Sequence, residues 1–281
     1  MKKLLSIALI ASLGFSANLT IMPYGSYIDY TKNSVKDEAF DGGVYASCFK
    51  WPFKVELDGE YLKINYRNST FIPNYYEKDL TFVGHYFIGN HYQIKLGIRN
   101  MFIDQKYNSD DYDKVLIGGV SYYKYLKYNV GIDYYYSTYD GFHVSQITPK
   151  AGVYFGNYYS YMGSFYLNGD VNFINVSDKK AAGTKNNGYV NGDISLTNYQ
   201  GPWATTIKGS IGVNTYKVAN GGFVVYNLGE EYHYSYGLDV SYRLNKRSSF
   251  KIGYDRSKFK NTTTNKKAFS NVYVASFTYS F

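Results

Sequence analysis

From Asn18 onward the chain alternates apolar and polar residues with period two, in one segment after another, and no part of that length is apolar for long enough to cross a membrane as a helix. Strict alternation builds extended strands with two unlike faces. It recurs near residues 18–30, 43–51, 53–66, 76–88, 91–104, 114–126, 128–138, 143–155, 158–174, 188–199, 203–217, 231–244, 249–257 and 271–281, fourteen segments in all. Most exceed the roughly five or six residues of a strand in a globular sheet and approach the length that crosses a bilayer at a tilt. Length alone suggests about two domains, but repetition of one segment type argues for a single domain over residues 18–281.

The connections between segments sort by length. Trp51-Pro52, Gly89-Asn90, Leu126-Lys127, Gly156-Asn157, Gln200-Gly201-Pro202 and Asn245 to Ser248 are tight. They alternate with Thr31 to Gly42, Arg67 to Tyr75, Gln105 to Asp113, Tyr139 to Phe142, Asn175 to Gly188, Val218 to Glu230 and Lys258 to Ser270, mostly longer and more polar. Short and long connections therefore lie at opposite ends of one sheet. The pattern predicts an all-β fold, a transmembrane antiparallel up-and-down β-barrel of about 14 strands, within a range of 12 to 16, with short periplasmic turns and longer extracellular loops.

Which face meets lipid follows from the cost of charge there, about 2 to 4 kcal/mol near the midplane. Tyr92, Ile94, Leu96, Ile98 and Phe102 oppose Gln93, Lys95, Gly97 and Arg99, so the first set is expected outside. The same partition sets Tyr232, Tyr234, Tyr236, Leu238, Val240 and Tyr242 against Ser235, Gly237, Asp239, Ser241 and Arg243, and Tyr159, Tyr161, Phe165, Leu167, Val171 and Phe173 against Ser160, Ser164, Asn168, Asp170 and Asn172. One segment changes phase: Phe53, Val55, Leu57 and Tyr61 share one parity, Leu62, Ile64 and Tyr66 the other. A bulge near Gly59 to Leu62 explains the switch, and so does an inward apolar patch.

Composition agrees. Tyrosine dominates, 36 of 281 residues, Gly is frequent and Pro rare, and mean hydropathy is −0.36. A soluble core of this size leans on Leu, Ile and Val, whereas a barrel in lipid uses aromatic girdles round a polar interior. Lys2 and Lys3, the apolar run Leu4 to Phe15 and the small Ser16 and Ala17 have the layout of a secretory signal peptide over residues 1–17. The single Cys48 cannot form an internal disulfide and reads as a small, semi-apolar strand residue.

The last eleven residues place Tyr273, Ala275, Phe277, Tyr279 and Phe281 on one side of a strand and Ser276, Thr278 and Ser280 on the other. This ending resembles the closing strand of Gram-negative outer-membrane β-barrels. Size, even strand number and mixed-charge wall resemble a monomeric fourteen-stranded porin of the porin G type, in architecture only. The resemblance implies export to the cell outer membrane and insertion by the barrel-assembly machinery through the strand ending at Phe281. It also implies passive diffusion of small hydrophilic solutes, with selectivity set by lumen charge and by any loop that folds inward.

The basic residues expected in the lumen are Lys54, Lys95, Arg99, Lys150, Lys208, Arg243 and Lys251; the acidic ones are Glu56, Asp58, Glu60, Asp133, Asp170, Asp193, Asp239 and Asp255. Signs nearly balance there, so much of the formal charge of +8 is expected in connections, at Lys179, Lys180, Lys185, Lys258, Lys260, Lys266 and Lys267. Such a rim would attract the anionic phosphates of lipopolysaccharide and outer-membrane lipids, or anionic solutes, by long-range steering; solvated loop lysines with no selected partner are the plainer reading. Tyr135, Tyr154, Tyr166 and Tyr189 also fall on inward faces, where rings would narrow the lumen or form a sugar-stacking track. Asn175 to Gly188 has the length to constrict it.

Other chemistry finds little support. His143 and Ser145 share the outer end of a lipid face, similar to the His-x-Ser of outer-membrane phospholipase, but Gln146-Ile147 replaces that family's Asn-Gly and no third member orients the imidazole. Asp110, Asp111 and Asp113 are similar to the paired carboxylates of outer-membrane aspartate-type proteases or a surface cation site, without a matching His-Asp pair. No catalytic residue, cofactor site or metal-spaced cluster is expected. The dispersed basic charge does not suit nucleic acid. A non-conducting adhesin or scaffold barrel remains the structural alternative.

Overall fold

The computed structural model describes residues 18–33, 35–67, 74–105, 111–261 and 265–281; the expected signal peptide lies outside the described residues, as do 68–73, 106–110 and 262–264 within the longer connections. The strands are β1 (Asn18–Thr31), β2 (Lys36–Lys50), β3 (Phe53–Tyr66), β4 (Tyr75–Ile88), β5 (Tyr92–Gln105), β6 (Asp111–Lys124), β7 (Tyr128–Tyr139), β8 (Phe142–Gly156), β9 (Ser164–Val176), β10 (Gly188–Gln200), β11 (Trp203–Asn214), β12 (Val218–Ala219), β13 (Val224–Val225), β14 (Glu230–Arg243), β15 (Ser248–Asn261) and β16 (Lys267–Ser280). All but β12 and β13, which pair only with each other, form one closed antiparallel barrel of fourteen strands in sequence order, with β11 joined to β14. Closure runs from Thr20↔Ser280 to Thr31↔Phe269 between β1 and β16, and the Phe281 N–H donates to the Leu19 carbonyl at 2.9 Å. A sheet closed in this way leaves no edge of unpaired backbone groups to face lipid.

The two faces divide as alternation requires. On β5, Leu96 is 67% exposed while Lys95 and Arg99, of opposite parity, are 7% and 2% exposed. Ile194, Ile207 and Ile211 continue the bare apolar band on β10 and β11. Rings border this band toward the short turns in the pairs Phe53–Tyr86, Tyr92–Tyr122, Phe155–Phe165 and Trp203–Tyr242. Toward the longer connections they do so in Tyr27–Phe40, Tyr61–Tyr76, Phe102–Tyr112 and Tyr254–Tyr273. An apolar belt between two aromatic girdles is the outer surface of a membrane-spanning barrel. Leu96→Arg is therefore expected to destabilise the barrel by about 2 to 4 kcal/mol, read as a lower denaturant midpoint in lipid vesicles, whereas Leu96→Phe leaves the midpoint nearly unchanged.

Several boundaries differ from the sequence expectation. The supposed connection Thr31 to Gly42 is mostly strand, because β2 already begins at Lys36 and pairs along β1 from Glu38. Likewise β15 runs to Asn261 and β16 starts at Lys267, so Lys258, Lys260 and Lys267 sit on the wall rather than in a loop. Strand β9 begins at Ser164, not near 158; Gly156-Asn157 opens a longer turn containing Tyr159 and Tyr161, which are 93% and 90% exposed off the strand. The anticipated bulge near Gly59 to Leu62 is absent, since β3 keeps register with β4 from Phe53↔Tyr86 to Ile64↔Tyr75. Leu62, Ile64 and Tyr66 form the inward apolar patch instead, packed with Tyr30, Ala39, Tyr75 and Phe259. A register shift does occur between Tyr232 and Tyr234. It turns Tyr232 inward onto Phe259, ring centroids 5.5 Å apart, so Tyr232 leaves the lipid-facing set.

Candidate functional site

The inward faces define the site. Toward the short-turn end they carry paired charges linked side to side: Lys54 Nζ lies 2.8 Å from Glu56 Oε1, whose other oxygen takes the Nε2–H of His85. Gln93 Nε2 donates to His85 Nδ1 at 2.6 Å, and Tyr123 donates to Gln93. Farther round, Asp133 holds Lys95 at 2.9 Å and Lys150 at 2.7 Å, and Lys208 bridges Asp239 at 3.1 Å and Asp255 at 2.9 Å. Apart from Lys54–Glu56, both on β3, these pairs join adjacent strands or strands one removed at matching heights, which is what fixes them: Gly119↔Asp133 and Lys95↔Gly119 leave only a glycine between the ammonium of β5 and the carboxylate of β7. A Cβ at Gly119 would fall 2.2 Å from Asp133 Oδ1.

The remaining lumen candidates spread over the wall. Asp170 and Asp193 face each other across β9 and β10 and share Asn172 Nδ2 at 2.9 and 2.8 Å. Lys251 stands opposite Ser241 and Ser276. Arg243 lies at the mouth, its Nη2 donating to the Tyr158 hydroxyl at 3.2 Å and the Gly201 carbonyl at 3.3 Å. Among the tyrosines, Tyr154 and Tyr166 stack 4.2 Å apart, Tyr135 donates to Asp133 at 3.1 Å and Tyr189 to Glu231 at 3.3 Å.

Asp58, Glu60 and Arg99 belong to one cluster that the sequence reading saw only in part. Arg99 Nη2 pairs with Asp79, and with Glu60 at 3.4 Å. Tyr24 donates to Asp58 at 3.1 Å and to Glu60 at 3.2 Å, and Ser26 donates to Asp41 at 3.3 Å. With Glu77 close by, five carboxylates of β2, β3 and β4 surround one guanidinium. Glu77 and Asp79 alternate with Lys78 and Leu80, the signal by which β4 parity identifies them; Asp41 was hidden by the misplaced start of β2.

The loop that enters the barrel is the segment 215–229, not Asn175 to Gly188. Its hairpin β12–β13 turns at Asn220–Gly222, with Gly221 and Gly222 at φ of 72° and 113°. Its parts are tied to β4, β5, β8 and β10. Gln146 Nε2 donates to the Val218 carbonyl at 2.7 Å and Gln146 Oε1 accepts the Val218 N–H at 2.8 Å. Lys217 pairs with Asp193, Lys95 donates to the Gly221 carbonyl at 3.4 Å, Arg99 to the Phe223 carbonyl at 2.7 Å, and Asn227 to Glu77 at 2.7 Å. Phe223 also meets the Tyr45 ring at 5.6 Å, and Leu228 packs on the Ile64–Phe259 cluster. The segment thus crosses the bore, covering inward apolar residues including Ile117, Val144 and Ile174. The connection 177–187 stays above it, its Ala182 carbonyl accepting the Tyr216 hydroxyl at 2.9 Å. The run V-A-N-G-G-F-V-V is the hairpin signal in the sequence.

His143 and Ser145 remain on the outer face. His143 lies against the Tyr136 ring at 5.4 Å and its backbone N–H donates to Ser177; among the described residues no carboxylate is bonded to the imidazole. Asp110 lies outside the described residues, Asp111 Oδ1 accepts the Tyr112 N–H at 2.8 Å, and Asp113 turns inward, buried, opposite Met101. No group of three metal-ligating side chains occurs among the described residues.

No family model and no curated protein matches the chain in sequence. Among solved structures, it is similar to the CymD monoaromatic hydrocarbon channel (TM-score 0.59, 9% identity, 95% of this chain and 90% of that one). It is also similar to the toluene transporter TodX of Pseudomonas putida (TM-score 0.58, 6% identity, 95% and 89%) and to a bacterial polysaccharide outer membrane secretin (TM-score 0.54, 9% identity, 94% and 98%). At such identities the likeness is one of fold, the outer-membrane type of β-barrel.

Proposed function

We propose that the protein is an outer-membrane channel passing small hydrophilic solutes by passive diffusion through a mixed-charge lumen narrowed by the segment 215–229, with cations preferred over anions. One observation carries this reading: the cores of the inward apolar clusters are covered, while a subset of the inward charged side chains, unlike the buried Lys95 and Arg99, is left partly wet. Ile64, Val83 and Phe259 are each 0% exposed, so they greet no passing solute, whereas the side chains of Lys54, Lys150, Lys208 and Asp255 keep 31%, 27%, 33% and 27% of their surface. A hydrocarbon path, of the kind named for CymD and TodX, needs free apolar surface along its length. The carboxylates grouped round Arg99 favour cations.

Recording in planar bilayers tests the reading. Discrete steps that scale with salt, and a reversal potential of cation-selective sign in a KCl gradient, are the expected result. A silent barrel returns the protein to the adhesin or scaffold class, and fatty-acid release abolished by Ser145→Ala would make it a hydrolase.

A further inference from the structure

The outer rim of β15 and β16 holds cations in an arrangement the protein does not itself neutralise. Lys260 and Lys267 are register partners on adjacent strands, both of outward parity since their neighbours Phe259 and Ala268 are buried inside. Like charges directly opposite each other destabilise a sheet. Lys258, one outward position along β15, lies over the Tyr234 ring at 5.4 Å, and Lys185 comes down from the connection after β9 to meet Lys260. Among the described residues none of these four lysines forms an ion pair. Glu231, the register partner of Lys260 on β14, is buried, accepts the Tyr189 hydroxyl and forms no ion pair with Lys260. Below the lysines the wall turns aromatic and then aliphatic. Arg256 lies over Phe269 at 4.7 Å, Tyr254 and Tyr273 follow, then Ile252 and Leu238, 52% and 46% exposed.

We propose that this rim binds the headgroup of a multiply phosphorylated outer-leaflet lipid, phosphates on Lys185, Lys258, Lys260 and Lys267 and acyl chains along the apolar wall beneath. The proposal rests on the outer-membrane placement but not on conduction. The height decides the occupant: a soluble anion would find the lysines but gain nothing from the ring and aliphatic surface below, while a lipid phosphate is held at that level by its own chains. Neutral headgroups would leave the crowded ammonium groups uncompensated.

The test uses the full barrel in non-ionic detergent, with native mass spectrometry counting bound diphosphorylated, monophosphorylated and dephosphorylated lipid A. Wild type is expected to prefer the diphosphorylated form by at least about tenfold, and K185Q/K258Q/K260Q/K267Q to lose that preference. Lys63, Lys78 and Lys114, on the outer faces of β3, β4 and β6 away from β15 and β16, supply the control K63Q/K78Q/K114Q, which is expected to bind like wild type. Equal loss in the control would mean that overall charge alone acts, and equal binding of the dephosphorylated lipid would show no phosphate recognition; either overturns the proposal. Full displacement of the lipid by inorganic phosphate at equal concentration would assign the lysines to a free anion and likewise sink it. The quadruple variant is expected to conduct as wild type does, so a silent channel and a failed lipid site are separate results.

Discussion

Replacing Val218–Val225 by two glycines should raise single-channel conductance by roughly threefold or more, since a fourteen-stranded bore is wide enough for water once nothing crosses it. The excision is clean because the segment's base is closed by its own bond, Tyr226 N–H to the Lys217 carbonyl at 2.9 Å, and because β11 and β14 pair directly from Trp203↔Tyr242 to Ile211↔Tyr234. The wall register does not depend on the hairpin. What is lost is the Phe223 ring, the Gly221 carbonyl at Lys95 and the Val218 clamp on Gln146, all of which occupy the bore. The folded variant is also expected to admit larger sugars in vesicle-swelling assays. Unchanged conductance in a correctly folded variant would place the hairpin off the conduction path and remove the basis for a loop-set bore.

Arg99→Ala is expected to cost about 3 to 5 kcal/mol, the range for removing one partner of a buried ion pair. Arg99 and Asp79 side chains are each 2% exposed, so water does not replace the guanidinium, and Glu60, Glu77 and Asp58 lose the same counter-charge. The readout is the temperature at which the folded electrophoretic form converts to the unfolded one, expected to fall sharply, with partial recovery in Arg99→Ala/Asp79→Asn because the buried carboxylate paired with the guanidinium is then neutral. The same change releases the Phe223 carbonyl and makes the lumen more negative, so the preference for cations over anions should increase. A variant with wild-type thermal conversion and reversal potential would show that the guanidinium is neither a structural tie nor part of the selectivity.

The parity of β5 was legible because Lys95 and Arg99 cannot share a face with Leu96 and Ile98 in a barrel exposed to lipid, and the wall follows that rule from strand to strand. Period-two reasoning failed where local sequence carries no parity signal. Asp37 and Glu38 looked like loop residues, and only pairing with β1 and β3 draws that stretch into β2. The inward Leu62, Ile64 and Tyr66 broke the pattern for a reason outside their own strand: Leu228 and Phe259 cover them. Loop length pointed to Asn175 to Gly188, yet Asn187 is tied back to the Val176 carbonyl at 2.7 Å, while the glycine pair and flanking valines of 218–225 suit a compact hairpin that can enter the bore.

Strand number, antiparallel order, the lipid-facing belt and most of the inward charges were determined by the sequence itself, because each depends on neighbours two residues apart or on a turn of a few residues. The occupant of the bore, the gathering of Asp41, Asp58, Glu60, Glu77 and Asp79 round Arg99, and the lysine rim at Lys260 and Lys267 were decided only by tertiary structure. They join residues far apart in sequence, and their positions depend on strand register round a closed ring, which no single strand encodes.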